Sequence, residues 1–355
     1  MPSLEYSRLI KRVVLSAPSK AHEVRVVNQV ILAVSALSIA GAGWIIMSFC
    51  LFKQVRTFRH QLILGLAISD FWMAVNFLSS CAMNLSGRSI GDPSQKRFCS
   101  FNGFMTQFFV IQTDYWVLLI AVCTFLILAN HKHMSSWIQE HRLVLWCLPW
   151  GFSALWAAIG LGLDGYSDIG AWCWFGSDKT RLLVNFLPRW LIVIFILALY
   201  ARLYRIIYKA HNRFMSFNDQ MSPHNHASPS VEPDTDSPNP MLKKMARQMM
   251  SYPLAYMLIW TIPTTIRIYQ SVKGKPAPFG IATVDKACIV IQGFVDALIY
   301  GVNESSLGVW RERFRRSSPA TAAPANIKVN VEHEIRIERT LRSALSDSDS
   351  HLTRM

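Results

Sequence analysis

The chain has 355 residues and a formal net charge of +14, and it is 52% hydrophobic with only 16% charged residues. Globular domains usually contain about a quarter charged residues, and here the charges lie mostly between long apolar runs. This pattern excludes an ordinary soluble domain and indicates an integral membrane protein. Because the basic residues flank the apolar runs, we expect anionic membrane lipids as partners and no nucleic acid.

Seven apolar runs are long enough to cross a bilayer, which takes about 20 helical residues. Each is predicted to be an α-helix, because lipid does not tolerate unsatisfied backbone groups and the runs are longer than barrel strands. The predicted spans are approximately Val27–Phe52, His60–Asn84, Phe98–Asn130, Leu143–Leu163, Leu183–Tyr208, Met245–Gln270 and Ile281–Asn303. The predicted fold is therefore an all-α integral membrane protein, with a seven-transmembrane helix bundle over residues 27–304.

Lys and Arg predict the orientation of this bundle. They are more frequent in the segments between spans one and two, between spans three and four, between spans five and six, and after span seven than in the other segments. Since basic residues favour the cytoplasmic side, the N-terminus is predicted outside and the C-terminus inside. Residues 1–26 are then an extracellular tail, and the protein is multi-pass.

Three acidic residues lie inside predicted spans: Asp70, Asp114 and Asp296. With a rise of about 1.5 Å per residue, all three are expected at or below the middle of the membrane. Ionisable residues inside spans usually face the bundle interior and are functional. We predict a buried polar hub of these three residues and Asn303. It either shares protons, a cation or a water cluster, or consists of separate hydrogen bonds between helices.

Two of the seven cysteines, Cys99 and Cys173, lie on the predicted outer side. The outside is oxidising, so a disulfide is expected to tie the loop between spans four and five to the mouth of the bundle. Two free thiols are the alternative. Basic residues also lie near the outer ends of spans five, six and seven, at Arg189, Arg267 and Lys286. They form either a basic vestibule or side chains that extend to the interface.

The segment 216–240, between spans five and six, is rich in Ser, Pro, Asn and Asp and is predicted to be disordered. Three serines in it precede prolines and are candidate phosphorylation sites, unless the segment is a plain linker: Ser222, Ser228 and Ser237. In span six, Pro253 and Pro263 each remove a backbone hydrogen bond and predict a hinge.

Residues 305–317 follow the seventh span and predict a short amphipathic helix on the membrane surface. Leu307, Trp310 and Phe314 share its apolar face, and a basic flank that stops transfer is the alternative. Residues 318–355 are predicted to be a mostly disordered cytoplasmic tail. The sequence has no P-loop, no nucleophile elbow and no spacing typical of a metal site. We therefore expect neither an enzyme nor a metal or cofactor.

Four segments carry a family resemblance: "FRHQLILGLAISDFWMAVNFL", "CSFNGFMTQFFVIQTDYWVLLIAVCTFLI", "YPLAYMLIWTIP" followed by Arg267, and "DALIYGVNES". Together they resemble the cyclic-AMP receptors of slime moulds and their fungal relatives, the class E G-protein-coupled receptors, which include fungal glucose-sensing-type receptors. The resemblance covers about Val27 to Arg316. The chain lacks the Asp-Arg-Tyr motif of rhodopsin-like receptors, and "DALIY" lacks the proline of their seventh-span motif.

The resemblance implies a plasma-membrane receptor that senses an extracellular small molecule, such as a nutrient or nucleotide-like compound. It also implies activation of a heterotrimeric G protein (Gα) and signalling through cyclic AMP or MAP kinases. The implied ligand contacts in the outer bundle are Trp172, Arg189, Trp260, Arg267 and Lys286. The alternative is a seven-helix transporter or photosensor, either proton-coupled through the three acids or of the retinal type.

Overall fold

The computed structural model of the chain describes residues 20–129, 134, 137–138, 140–220, 240–273, 277–303 and 306–317. The phosphorylation candidates Ser222, Ser228 and Ser237 and the predicted tail 318–355 lie outside these residues. Six long helices follow the first six predicted spans: α1 (Ala21–Leu51), α2 (Phe58–Leu85), α3 (Lys96–Leu128), α4 (Arg142–Leu163), α5 (Leu187–Gln220) and α6 (Pro240–Lys273).

The seventh predicted span is two helices rather than one. α7 (Phe279–Val290) and α8 (Gln292–Asn303) are separated at Ile291, and Gly293 follows this break. Gly293 lies so close to α1 and α2 that an added Cβ would be 2.8 Å from Ser38 Oγ and 3.0 Å from Asp70 Cβ. The helical ladder is therefore interrupted next to a residue that packs closely against α1 and α2.

The helix boundaries differ from the sequence prediction around α5. A helical turn (Asp178–Arg181) and a π-helical turn (Leu182–Phe186) precede α5, so helix begins before the predicted start of span five. α5 then continues to Gln220. α5 thus includes residues 216–220 of the segment predicted to be disordered, and residues 221–239 lie outside the described part of the chain.

Within the described part of the chain, five helical segments are long and apolar enough to cross a membrane, namely α1 to α4 and the segment Lys179–Ile206 around the start of α5. Large apolar side chains on their outer surface are exposed, among them Leu155, Leu191 and Ile194. A soluble protein rarely exposes contiguous apolar surface of this kind, and a bilayer provides the apolar surroundings that it requires.

Small residues allow close contacts between helices. An added Cβ on Gly41 of α1 would lie 2.9 Å from the backbone oxygen of Gly293. An added Cβ on Gly65 of α2 would lie 2.4 Å from the ring of Trp116, which is fully buried. Helices in membranes associate largely through such packing, since lipid supplies no hydrophobic driving force between them.

One end of the bundle is covered by the segment between α4 and α5, which contains an antiparallel pair of strands, β1 (Ser167–Asp168) and β2 (Cys173–Trp174). A disulfide joins Cys173 to Cys99 at the start of α3, as predicted. Trp172, Trp174 and Phe175 are buried. We call this end of the bundle the outer end, following the orientation that the sequence predicts.

At the opposite, inner end, α9 (Ser306–Ser317) follows α8. The indole Nε1 of Trp310 donates a hydrogen bond to Ser48 Oγ of α1 (2.8 Å), and the ring of Trp310 lies edge-on to Phe52 with centroids 5.1 Å apart. The predicted surface helix is thus fixed to α1 through its aromatic face.

Candidate functional site

The centre of the bundle contains a buried ion pair. Arg189 of α5 donates from Nη2 to Asp114 Oδ2 at 3.0 Å and from Nε to both carboxylate oxygens at 3.1 Å. Both side chains are fully buried. The hydroxyl of Tyr256 in α6 donates to Asp114 Oδ1 at 2.5 Å. One carboxylate therefore binds helices α3, α5 and α6 together, and we call Asp114, Arg189 and Tyr256 the central triad.

Two further contacts support Arg189. The π-helical turn before α5 places Asn185 so that its Oδ1 accepts a hydrogen bond from Arg189 Nη2 at 3.4 Å. Single π-helical turns inside helices occur frequently at functional sites. On the other face, Arg189 Cζ lies 3.4 Å from the ring centroid of Trp260, which is a close cation–π contact. Trp260 Nε1 donates to Gln292 Oε1 at 3.2 Å, so the network extends to α8.

The structure brings Asp70 and Asp296 together. Both carboxyl groups are buried and lie close enough to interact directly, and Thr113 Oγ1 donates to Asp70 Oδ1 at 3.3 Å. Two neighbouring buried carboxylates repel each other, which favours a proton on one of them. These contacts join α2, α3 and α8. We call Asp70 and Asp296 the acid pair.

The predicted four-residue hub is therefore divided. Asp114 bonds to the cation Arg189 and not to the acid pair, because Thr113 and Asp114 are successive residues whose side chains point in different directions around α3. Asn303 lies further along α8 and contacts α6 instead. For these two residues the contacts are separate hydrogen bonds between helices, which is the alternative that the sequence left open.

Asn303 belongs to a polar cluster at the inner end. Its Nδ2 donates to the backbone oxygen of Gln248 at 3.2 Å, and Gln248 Nε2 donates to the backbone oxygen of Asn303. Gln248 Oε1 also accepts from Arg59 Nη1 at 3.0 Å. This cluster, which we call the inner latch, connects the inner ends of α2, α6 and α8.

The predicted ligand contacts are divided between two levels. Arg189 and Trp260 belong to the central network, whereas Trp172, Arg267 and Lys286 lie at the outer end. Arg267 Nη2 forms an ion pair with Asp285 Oδ2 at 2.8 Å. Lys286 Nζ donates to the backbone oxygen of Ile169 at 2.9 Å. Trp172 packs on Phe77 with ring centroids 4.5 Å apart.

The covering segment between α4 and α5 is hydrogen-bonded through its backbone to α1 and α2. The oxygen of Gly170 accepts from Asn28 Nδ2 at 3.0 Å and from Asn84 Nδ2 at 3.3 Å. The N–H of Gly170 donates to Asp168 Oδ1 at 2.7 Å. Burial raises the pKa of the Asp168 carboxyl, while this hydrogen bond and the nearby Lys286 ammonium oppose the rise.

Both predicted hinge prolines, Pro253 and Pro263, lie inside the continuous helix α6. Tyr256, which belongs to the central triad, and Trp260, which donates a hydrogen bond to α8, lie between them. The hinge remains a prediction. Among the described residues, no group of three or more His, Cys, Asp or Glu side chains is arranged to hold a metal ion.

Sequence reasoning missed Tyr256, Gln292, Gln248 and Arg59. All four are polar residues in otherwise apolar or interfacial helix, and each now has a partner on another helix. The signal was available for Tyr256, because it lies one helical turn before Trp260 and thus on the same face. The partners of Gln248 and Arg59 are far apart in sequence and carried no comparable signal.

The fold defines a class of protein. The structure of squid rhodopsin superimposes with a TM-score of 0.61 at 15% sequence identity, over 88% of this chain and 93% of that chain. The chain has the fold of a G-protein-coupled receptor, which confirms the predicted fold class.

The sequence assigns the chain to one family within this fold class. Residues 24–214 match the family described as "G protein-coupled glucose receptor regulating Gpa2" (Git3), and residues 239–311 match the C-terminal part of that receptor family. The chain belongs to this family. Since the family and the similar proteins below are receptors, this protein is a receptor and not an enzyme.

Three relatives support the assignment. The ascaroside receptors GPR2 and GPR3 of Arthrobotrys oligospora are 37% and 32% identical; they cover 85% and 88% of this chain, which covers 94% of each of them. Cyclic AMP receptor-like protein A of Dictyostelium discoideum is 24% identical over 83% of this chain and 69% of its own length. The resemblance to cyclic-AMP-receptor-like fungal receptors is thereby confirmed.

Removal of one charge from the central triad is expected to destabilise the bundle. Arg189→Gln leaves the Asp114 carboxylate buried without its cation, and such a change costs about 3–5 kcal/mol. The double variant Arg189→Gln/Asp114→Asn carries no unpaired charge, so its thermal unfolding midpoint in lipid nanodiscs should recover most of the loss. Arg267→Gln, at the less buried outer ion pair, serves as the control and should cost less. A loss in the double variant that equals the sum of the losses in Arg189→Gln and Asp114→Asn would contradict this account.

Proposed function

We propose that this receptor senses an extracellular small molecule at its outer end and activates a heterotrimeric G protein at its inner end. We also propose that it acts in the plasma membrane, with residues 1–26 outside and the tail 318–355 in the cytoplasm. The observation that carries the proposal is the continuous series of polar contacts from Trp260 through the central triad to α3, α5 and α8, which a purely structural bundle would not need.

The outer end supplies the means to bind a ligand. Trp172, Arg267, Asp285 and Lys286 combine an aromatic ring with charged groups, and all four come from two helices and one loop that the disulfide holds in place. A small molecule that shifts this cluster acts directly on the outer half of α6 through Arg267. A ligand changes a conformational equilibrium when it binds one state better than the other.

The central triad relates that shift to the rest of α6. Tyr256 and Trp260 are on α6, whereas Asp114, Arg189 and Gln292 are on the helices that surround it. Any rotation of α6 exchanges these contacts for others. Pro253 lies about one helical turn from Tyr256 towards the inner end of α6, and it weakens the backbone hydrogen bonding of the helix there. The inner half of α6 is therefore the part that we expect to move.

The inner latch opposes that movement. Gln248 holds the inner end of α6 to α8 through Asn303 and to α2 through Arg59. We propose that opening of this latch exposes the surface that a Gα subunit binds. The family description names Gpa2 as the regulated protein, so a Gpa2-type Gα is the first partner to test, with cyclic-AMP or MAP-kinase signalling downstream.

The direct experiment is nucleotide exchange on a purified Gpa2-type Gα in vesicles that contain the receptor. Glucose, other sugars, nucleotides, amino acids and lipids are added in turn, and empty vesicles are the control. We expect the receptor to accelerate exchange and at least one of these compounds to change the rate. An exchange rate equal to that of empty vesicles under every condition would overturn the proposed coupling.

Gln248→Ala should raise the basal exchange rate. It removes two side-chain hydrogen bonds of the inner latch, each with a net value of about 1 kcal/mol, so the open state should become roughly thirty times more populated. Gln61→Ala, at the same end of the bundle but outside the latch, is the matched control and should keep the wild-type rate. A basal rate that Gln248→Ala leaves unchanged in a correctly inserted receptor would show that the latch does not restrain activation.

Asp70→Asn should change ligand-stimulated exchange while ligand affinity stays within a modest factor. The substitution replaces one carboxyl group of the acid pair, which lies below the outer cluster, by an amide that is neutral in every state. Ligand binding and exchange are measured on the same vesicles, with the exposed residue Asp92 changed to Asn as the control. Loss of ligand binding in a well-folded Asp70→Asn receptor would place Asp70 in the ligand site instead.

A further inference from the structure

Lys286 differs from Arg189 and Arg267 because its hydrogen-bond partner is a neutral backbone oxygen and not a carboxylate. It is 9% exposed, and its ammonium donates to the neutral backbone oxygen of Ile169 at 2.9 Å. The ring of Trp172 lies beside it, with 5.6 Å between Nζ and the ring centroid. In the part of the chain that the structure describes, no carboxylate oxygen lies within 4.0 Å of Nζ.

The neighbouring cations already have ion-pair or hydrogen-bond partners. Arg189 is bound to Asp114, and Arg267 is bound to Asp285. Arg181 donates from Nε to the backbone oxygen of Phe175 at 2.8 Å. The charged groups around Lys286 are Asp285, Arg267, Asp168 and Arg181, and their charges sum to zero. Among the described residues, none of these carboxylates forms an ion pair with the ammonium of Lys286.

A buried charge that meets only a neutral dipole is poorly compensated. An anionic oxygen in place of the Ile169 oxygen would form a charge-assisted hydrogen bond, which is about twice as strong as a bond to a neutral acceptor. The Ile169 oxygen belongs to the covering segment and not to a helix. Trp172, three residues further along that segment, would remain available to cover an apolar or ring-shaped part of the ligand.

We propose that Lys286 is the site at which the receptor binds an acidic group of its extracellular ligand, a carboxylate or a phosphate, in place of the Ile169 carbonyl. This assignment rests on the proposed function, since it names the chemical class of the molecule that the outer cluster recognises. The acidic group releases the covering segment from α7 as it binds. Ligand recognition and movement of this segment are then a single event.

The test uses the full-length receptor in nanodiscs and pairs of probes that differ in the acidic group: glucuronate and glucose, glucose 6-phosphate and glucose, and hexanoate and hexanol. Affinity is measured from the concentration dependence of the thermal unfolding midpoint. The variants are Lys286→Gln and the conservative Lys286→Arg, and Lys179→Gln removes the same charge from an exposed position of the outer surface.

We expect at least one acid to bind more tightly than its neutral partner to the wild type and to Lys179→Gln. Lys286→Gln should weaken that binding about tenfold or more, and Lys286→Arg should retain most of it. The pair that responds distinguishes a carboxylate from a phosphate. The proposal is overturned if no acid binds better than its neutral partner, or if Lys286→Gln binds the acid as well as the wild type does.

A second measurement does not depend on the folding of a variant. Reductive methylation of the wild-type receptor, followed by mass spectrometry, should show slower modification of Lys286 when the acid is present, and unchanged modification of Lys179. Equal modification of Lys286 with and without the acid overturns the proposal. Nucleotide exchange is recorded on the same samples, so that acid binding without any exchange would refute G-protein coupling while the Lys286 site stands.

Discussion

The buried ion pair between Asp114 and Arg189 is the contact on which the arrangement of this bundle most depends. Neither charge can lie in hydrocarbon alone, because the cost of an uncompensated buried ion is several kcal/mol. Each residue therefore fixes the position of the other, and Tyr256 adds α6 to the same carboxylate. A purely apolar interface between these helices would allow several neighbouring registers, whereas the hydrogen bonds of a charged pair favour one.

The other polar contacts are arranged around this pair. On the outer side, Trp260 covers the guanidinium and reaches α8, and the disulfide-bound segment closes the bundle. At the same level of α3, the acid pair joins α2 to α8, and on the inner side the inner latch holds the end of α6. Between these levels the helices contact one another mainly through small and apolar side chains. Polar contacts therefore decide which helices are tied together, and apolar packing brings them close.

Much of this architecture follows from the sequence, because the requirements of a membrane act over short stretches of chain. The length of apolar runs predicts the helices, and the placement of cysteines predicts the bond between Cys99 and Cys173. The pairing of buried charges does not follow in the same way. Arg189 was expected near the membrane surface, since the predicted span began at Leu183, but helix begins at Asp178 and places Arg189 about three turns inside.

The division of the predicted hub has a similar origin. Depth along a helix is readable from residue number, but direction around the helix relative to neighbours depends on tertiary packing. Asp70 and Asp296 were matched correctly by depth, whereas Asp114 faces α5 and Asn303 faces α6. Likewise, no local pattern indicated that Trp172, which belongs to the covering segment, would be buried. Family membership, in contrast, was carried by long helix motifs and was predicted from the sequence.

The most direct test of the central triad as the element that couples the helices is a double-mutant cycle on G-protein activation. Nucleotide exchange is measured for the wild type, Asp114→Asn, Arg189→Gln and the double variant in the same vesicles, normalised to correctly inserted receptor. If the pair acts as a unit, each single variant changes the basal rate, and the double variant differs from the sum of the two effects by at least about 1 kcal/mol. Strictly additive effects on the exchange rate would contradict the account.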